Sequence, residues 1–312
     1  MDGGIDDALA ILLALQSQEM EVLGITAVSG NVPVEQAATN ALRVRELVNV
    51  TSVWIAKGQA RPLSRDPIRA YQFHGKDGLG DSNLPRPKIR SVREKAIDMM
   101  RLMLHSARRR ELTIICTGPL TNLATFIRKF PEAKRAIDEV VIMGGAYGAT
   151  HFGIGNETPV AEFNICSDPE AAKIVFESGV NLKAVGLDVT TIPQLELTEA
   201  DYGRIARAKG PIARFSSRIL SNNIRDHGRF TLHDPMAVAF KIRPSYYNFT
   251  EYPVSIETRG EYTTGMTIAD RRYWLPQKRR MGNRVGVCTK VNDQFKQLFM
   301  SRLFDPEGAE KR

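Results

Sequence analysis

The chain is poor in cysteine, poor in aromatic residues and without long apolar runs. Its three cysteines, Cys116, Cys166 and Cys288, are too few and too widely spaced for a disulfide framework or a zinc site. A reducing, cytoplasmic setting is the expectation. No apolar stretch reaches the ~18 residues of a membrane span. No basic region stands ahead of the first apolar run, which argues against a signal peptide. Phe, Trp and Tyr together make up only 7%. The net charge of +8, from 43 basic and 35 acidic residues, raises the question of nucleic acid. The basic runs Arg108-Arg109-Arg110 and Lys278-Arg279-Arg280 are short, scattered and without interleaved aromatics. They read as solvated surface, so neither a nucleic-acid nor a membrane partner is expected.

What the chain does have is concentrated at its start. Met1 to Leu15 reads MDGGIDDALAILLAL. Asp2, Asp6 and Asp7 stand around Gly3-Gly4, and a run rich in Ala and Leu follows without Gly or Pro. Both residue types are strong helix formers. Asp6 or Asp7 can cap the helix, and acidic groups suit its positive end. The glycines permit backbone angles that bulkier residues resist. The local expectation is a tight acidic loop entering a buried helix. An ordinary N-cap accounts for one Asp, or two, but not for all of them. Two carboxylates about 4 Å apart repel by about 4 kcal/mol at an effective dielectric near 20. Such a cluster beside an apolar helix calls for a cation, a proton or a polyol.

With 312 residues, 43% of them hydrophobic and 25% charged, the composition is globular. Val22 to Val28 reads as a buried strand ending in Ser29-Gly30-Asn31. Glu35 to Val48 is helical by spacing, and Val53 to Ala56 is a short strand. Lys57 to Arg90 is rich in Gly, Pro and Asp and has little periodicity. Long irregular segments inside domains are often functional, and a mobile lid is expected here. A helix over Val92 to Ser106 precedes a strand at Leu112 to Cys116, and Thr121 to Phe130 is again helical. Val140 to Met143 is a strand ending in Gly144-Gly145. Asp168-Pro169 opens a helix, and Lys183 to Leu187 is a strand. Thr198 to Ala208 and Ala213 to Ile224 are helices. The charged tail from Asp305 is expected to fray. No repeat or low-complexity linker divides the chain, so one domain over residues 1–312 is expected. Strands nearly continuous in apolar residues, alternating with helices, give the fold class: α/β, Rossmann-like, with a mostly parallel central sheet flanked by helices.

Ligands of open parallel sheets bind outside the carboxyl ends of the strands. The polar residues gather at those ends. Asn31, Thr117 and Gly144-Gly145 each follow a strand. Asn156, Glu162 and Asn164 recur in the next loop, and Leu232-His233-Asp234-Pro235 stands farther on. Taken singly, the asparagines are turn residues, Glu162 is surface, and His233-Asp234 is a structural pair. Taken together with Asp2, Asp6 and Asp7, they make an oxygen-rich cage with a neutral imidazole at its rim. Carboxylates and a carbonyl without Cys favour a hard cation; Ca²⁺ tolerates irregular oxygen cages and Mg²⁺ demands a stricter octahedron. Such a cation can hold the hydroxyls of a sugar and acidify a water whose proton a carboxylate takes, while His protonates a leaving group. That constellation suits hydrolysis at a sugar carbon.

The chain resembles the inosine–uridine-preferring nucleoside hydrolase family, which splits the N-glycosidic bond of ribonucleosides. The matching pieces are Asp2-Gly-Gly-Ile-Asp-Asp7, Val28-Ser-Gly-Asn31, His74-Gly-Lys-Asp-Gly-Leu79, Thr117-Gly-Pro-Leu-Thr-Asn122, Met143-Gly-Gly-Ala-Tyr147, Asn156 through Asn164, Asp168-Pro-Glu-Ala171, Gly186-Leu-Asp-Val-Thr190, His233-Asp234-Pro235 and Gly265-Met-Thr-Ile-Ala-Asp270. They fall in family order over nearly the whole chain. The resemblance implies Ca²⁺ held by Asp2, Asp7, the Thr117 carbonyl and Asp234. It implies Asp2 as general base for the attacking water and His233 as proton donor to the leaving base. Asp6 would grip the ribose 2′-hydroxyl and Asp234 the 3′-hydroxyl, with Asn164 assisting. Asn156, Glu162 and Met143 would hold the 5′ end and floor of the ribose, with Asn31 nearby. His74 would close over the ligand on the lid. A homodimer or homotetramer is implied. The two histidines are more like the inosine–uridine or pyrimidine branches than the purine branch that stacks the base between tryptophans.

Departures from the family pattern accompany the match. Family members usually begin with an apolar strand running into Asp-x-Asp, and Met1 here stands between those two Asp positions. Without that strand the sheet would have unpaired backbone and an open core, a deficit comparable with the ~5–15 kcal/mol stability of a domain. The expectation is that the natural start lies upstream. Gly3 replaces the usual Pro. The Asn222 to Arg229 segment matches no specificity pattern, and Asn222, Arg225, Asp226, His227 and Arg229 are candidates to contact the base. The alternative to a hydrolase is a non-catalytic paralogue that binds a nucleoside or ribose. An aspartate-nucleophile phosphatase is weaker, because the first Asp of its Asp-x-Asp pair is absent.

Overall fold

The computed structural model describes residues 1–88, 95–276 and 279–305. The expected helix start at Val92, the last residues of the Lys57–Arg90 segment, Lys278 and the tail beyond Asp305 lie outside the described residues. In chain order the elements are α1 (Ile5–Leu15), β1 (Gly24–Ala27), α2 (Val34–Leu47), β2 (Trp54–Lys57), α3 (Tyr71–His74), α4 (Ala96–Ser106), β3 (Leu112–Cys116), α5 (Thr121–Lys129), β4 (Ile137–Met143), α6 (Phe163–Ser167), α7 (Pro169–Phe176), β5 (Leu182–Val185), α8 (Leu187–Thr190), β6 (Leu197–Thr198), α9 (Glu199–Arg207), α10 (Pro211–His227), β7 (Arg229–Phe230), α11 (His233–Ile242), β8 (Tyr247–Ile256), β9 (Thr267–Ala269), β10 (Asn283–Val291) and α12 (Gln294–Phe304).

Helix α1 forms where Ala and Leu crowd. Its N-cap, Gly4, has no side chain to offer, and the Asp7 carboxylate accepts the Gly4 N–H at 2.8 Å. Every residue from Ile5 to Ala14 is buried, so α1 is a core helix rather than a surface amphipath. Burial of Leu9, Leu12 and Leu13, each 0% exposed, contributes about 1.5–3 kcal/mol apiece. α1 packs along α11.

The main sheet has six strands in the order β3-β4-β5-β10-β8-β9. β3, β4, β5 and β10 run parallel, whereas β8 pairs antiparallel with β10 and β9 antiparallel with β8. The α/β fold stands, but its sheet is mixed at one edge. The connection from Ile256 to Thr267 is too short for a crossover helix, so β9 returns antiparallel to β8. β1 and β2 form a separate parallel pair with α2 as their crossover. Among the described residues no helix is long and apolar enough to cross a membrane.

β1 and β3 are not hydrogen-bonded to each other. Among the described residues only Met1 continues the ladder beyond β1. Its amine donates to Thr26 O at 3.2 Å and its carbonyl accepts from Val28 N at 2.9 Å, the pattern of a parallel ladder opposite Ala27. Ile25 of β1 and Ile114, Ile115 and Cys116 of β3 are accordingly only half-buried. Loops at the carboxyl ends of β1, β3 and β4 nevertheless converge on the N-termini of α1 and α11.

Asp168 knits the irregular segment to the helices. Fully buried, it caps α7 through Ala171 N at 3.0 Å and accepts from Thr121 Oγ1 at 2.6 Å and Leu63 N at 2.9 Å. At the other end of α1, Glu19 accepts from Arg302 at 2.8 Å and 3.0 Å and from Arg243 at 3.1 Å, which ties the helix exit to α12 and α11. The Arg302 hydrogen bonds hold the Glu19 carboxyl down at about 2, below its ordinary 4.5. A depressed carboxyl contributes stability above its unfolded pKa and loses it as pH falls toward the folded value. Glu19→Gln is therefore expected to lower the urea midpoint at neutral pH, with the deficit shrinking as pH falls through about 4.5 toward about 3. Urea titrations at a series of pH values measure it, and a deficit that does not change with pH contradicts the ion-pair account.

Candidate active site

Twelve of the residues singled out from the sequence, His227 and Arg229 among them, line one cleft of about 320 Å³. Asp6, Asn31, His74, Thr117, Met143, Asn156, Glu162, Asn164, His233 and Asp234 come to it from the ends of β1, β3 and β4, the α1 and α11 N-termini, α3, and α6 with the loop before it. Asp2 and Asp7, both 0% exposed, are not among the lining residues.

The acidic floor is tightly determined. Asp7 accepts from Thr117 Oγ1 at 2.8 Å and from Gly4 N at 2.8 Å, with Asp2 N more distant at 3.3 Å. Asp2 is turned to Asn31, whose backbone N–H and side-chain amide donate to its two oxygens at 2.8 Å and 3.0 Å. Gly30 makes that approach possible, since a Cβ there would fall 1.9 Å from Asp2 Oδ2. Asp6, Asp7 and Asp234 each offer an oxygen within 4.8 Å of the others. Asp2 is not part of this trio, and Thr117 meets Asp7 through its hydroxyl. No Lys or Arg among the described residues forms an ion pair with any of the four; His74 Nδ1 stands 3.9 Å from Asp6, and the Met1 ammonium offsets only a small part of the rise at Asp2 and Asp234. Burial, with repulsion from Asp7, pushes Asp6 up to about 8 and raises Asp2 strongly; burial, with Asp6 foremost among its acidic neighbours, raises Asp234 strongly. Buried carboxylates that crowd one another, with only the chain's terminal amine to offset them, fit a hard divalent ion.

The sugar-facing wall is equally fixed. Glu162, 2% exposed, caps α6 through Asn164 N and Ile165 N and also accepts Gly145 N at 2.9 Å. Burial raises its carboxyl to about 6 despite these bonds. Asn164 donates to Met143 O at 3.1 Å. Asn156 is exposed and accepts Phe163 N at 3.0 Å.

Two histidines stand opposite the carboxylates. His74 ends α3 and its Nδ1 accepts the Ile5 N–H at 3.2 Å. His233 opens α11 with Nδ1 2.8 Å from Thr190 Oγ1. Burial holds both imidazoles neutral, down to about 4. The segment around His74 rests on its neighbours: Asn222 donates to Gly80 O at 2.8 Å, Asn223 to Phe73 O at 2.9 Å and Asn40 to Asp77 O at 2.9 Å. Of the candidates from Asn222 to Arg229, His227 and Arg229 line the cleft, whereas Arg225 and Asp226 pair with each other at the surface at 2.8 Å. Sequence reasoning missed Phe73, Asn223, Thr191 and Thr231 on the cleft wall. Asn223 was within reach, because it sits beside Asn222 on a helix that leads to His233. Neither tryptophan, Trp54 nor Trp274, lines the cleft.

A sequence profile of the family described as inosine-uridine preferring nucleoside hydrolase matches residues 1–297. Among curated proteins, the pyrimidine-specific ribonucleoside hydrolase RihA of Escherichia fergusonii is 39% identical over 284 residues, 89% of each chain. The RihA of an Escherichia coli strain is 38% identical over 311 residues, 97% of this chain and 95% of that protein. Among solved structures, a plant nucleoside hydrolase superposes with a TM-score of 0.87 at 28% identity, over 98% of both chains. A purine-preferring ribonucleoside hydrolase from Gardnerella vaginalis gives 0.84 at 31% identity, over 97% of this chain and 96% of that one. The buried carboxylates, the facing histidines and a likeness running nearly from end to end agree: the chain belongs to the inosine–uridine-preferring nucleoside hydrolase family and is a ribonucleoside hydrolase.

Proposed function

We propose that the protein hydrolyses ribonucleosides to ribose and free base with a bound Ca²⁺, and that pyrimidine ribonucleosides are its preferred substrates. The observation that carries the metal reading is the buried trio Asp6, Asp7 and Asp234, within 4.8 Å of one another and without a Lys or Arg partner among the described residues. Asp7, Asp234, Asp2 and the Thr117 carbonyl would hold the ion. When bound, it offsets the carboxylate repulsion and lowers the pKa of a water beside it. Pyrimidine preference is supported by the names of the RihA relatives and by a cleft wall without tryptophan.

The protein's own residues then divide the work. Asp6 and Asp234 accept hydrogen bonds from the ribose 2′- and 3′-hydroxyls, with Asn164 beside them. Met143, Asn156 and Glu162 shape the floor under the 5′ end, and Asn31 orients Asp2. Asp2 takes a proton from the attacking water as the water oxygen bonds to C1′. The C1′–N bond breaks with its electron pair leaving on the base. The neutral His233 ring takes up a solvent proton as negative charge builds on the base and delivers its Nε2 proton to that base, the proton taken by Asp2 returns to solvent, and His74 covers the site. One water is consumed, and ribose and neutral base are released. The odd, separated cysteines suit a cytoplasmic protein, and the family resemblance carries the expectation of a homodimer or homotetramer, which light scattering reads directly.

Free-base release from a panel of nucleosides, with and without a chelator, tests the activity; release that a chelator leaves untouched removes the metal from the proposal. Asp7→Ala is expected to abolish both Ca²⁺-induced thermal stabilisation and turnover. His233→Ala is expected to slow turnover about 10²–10⁴-fold, most for the poorest leaving bases. Equal rates of wild type and either variant on uridine and inosine contradict the assigned roles.

A further inference from the structure

We infer that Thr190 is a positioning residue for the reaction, holding the His233 ring so that Nε2 faces the departing base. The inference rests on the hydrolase reading above and deepens it.

Thr190 is itself firmly held. It is the last residue of α8, 1% exposed, with its N–H donating to Gly186 O at 3.1 Å. α8 itself is pinned. Buried Asp188 accepts from Tyr147 N at 2.8 Å and from Ala149 N at 2.6 Å, and its carbonyl accepts the Thr150 hydroxyl at 2.6 Å. A threonine in a helix is confined to two χ1 rotamers, and burial with the His233 contact holds one of them. The Thr190 hydroxyl is therefore a fixed post.

That post meets His233 Nδ1 at 2.8 Å, and among the described residues it is the only hydrogen-bond partner of the ring. Nε2 has none, while the ring lines the cleft. With the α11 backbone fixing Cα and the hydroxyl fixing Nδ1, the plane of the imidazole is set. A hydroxyl can either donate to Nδ1 or accept from it. The charged ring donates Nδ1–H to the hydroxyl and keeps that bond when its Nε2 proton passes to the base, so the ring need not move. His74 differs, because its Nδ1 faces a main-chain N–H that can only donate.

The test compares a nucleoside with a riboside whose leaving group needs no proton. Wild type, Thr190→Val and Thr190→Ser are assayed with Ca²⁺ on uridine and on 4-nitrophenyl β-D-ribofuranoside. Misplacing a reacting group by about 1 Å is worth roughly 10²-fold. Thr190→Val is expected to lose about that factor in kcat on uridine with little change in KM, and to keep its rate on the nitrophenyl riboside, which also reports that the variant is folded. Thr190→Ser, which restores the hydroxyl, is expected to recover most of the uridine rate. Parallel loss on both substrates by Thr190→Val and a second variant, Thr190→Ala, assigns the hydroxyl to structure alone and overturns the inference. So does an undiminished uridine rate in Thr190→Val. A wild type that splits neither riboside overturns the hydrolase reading, and the inference falls with it.

Discussion

The structure depends on keeping four carboxylates, Asp2, Asp6, Asp7 and Asp234, together in a dry place. They are 0%, 6%, 0% and 2% exposed. A pair of such charges about 4 Å apart repels by about 4 kcal/mol at an effective dielectric near 20, and burial penalises each charge separately. The protein meets part of this with donors: Asn31 on Asp2, and Thr117 Oγ1 and Gly4 N on Asp7. These are neutral partners and leave the net charge where it is. Either protons or a cation must complete the balance. The raised pKa values of Asp2, Asp6 and Asp234 are the first solution, and a divalent ion is the second.

Much of this was legible before any coordinates. The stretch MDGGIDDALAILLAL reads as an acidic loop entering a buried helix because both the residue types and the missing Gly and Pro point the same way, and α1 starts at Ile5. The cleft residues were legible because strand ends can be located from apolar runs, and polar residues at those ends have few other uses. The strands after residue 242 were not. β8 alternates irregularly between buried and exposed positions, and β9 is three residues long, so neither carries a period to read. Thr190 was quoted only as the end of a matching piece. Its importance comes from a contact with a residue 43 positions away, which no local pattern contains.

The carboxylates also illustrate how a resemblance and a geometry can differ in detail. The family pattern pairs Asp2 with Asp7 and Asp234. Side-chain placement groups Asp6 with Asp7 and Asp234, and gives Asp2 to Asn31. All four lie within one electrostatic neighbourhood, since each of Asp2, Asp6 and Asp7 contributes to raising Asp234. A cation that drew Asp2 inward would compete with the two Asn31 donors, so the Asn31 amide sets how readily Asp2 turns.

The bond between Ile5 N and His74 Nδ1 has a consequence for motion. The first N–H groups of a helix have no partner within it, and Gly4 supplies no side chain for α1. His74, on a segment nearly seventy residues away in sequence, takes one of those donors instead. Lifting this segment to admit or release a ligand would strip a capping partner from the helix that presents Asp6 and Asp7, a loss on the scale of about 0.5–2 kcal/mol. Entry to the cleft and order at its acidic floor are thereby joined through a single imidazole, and an open cleft is also one whose floor is less firmly held.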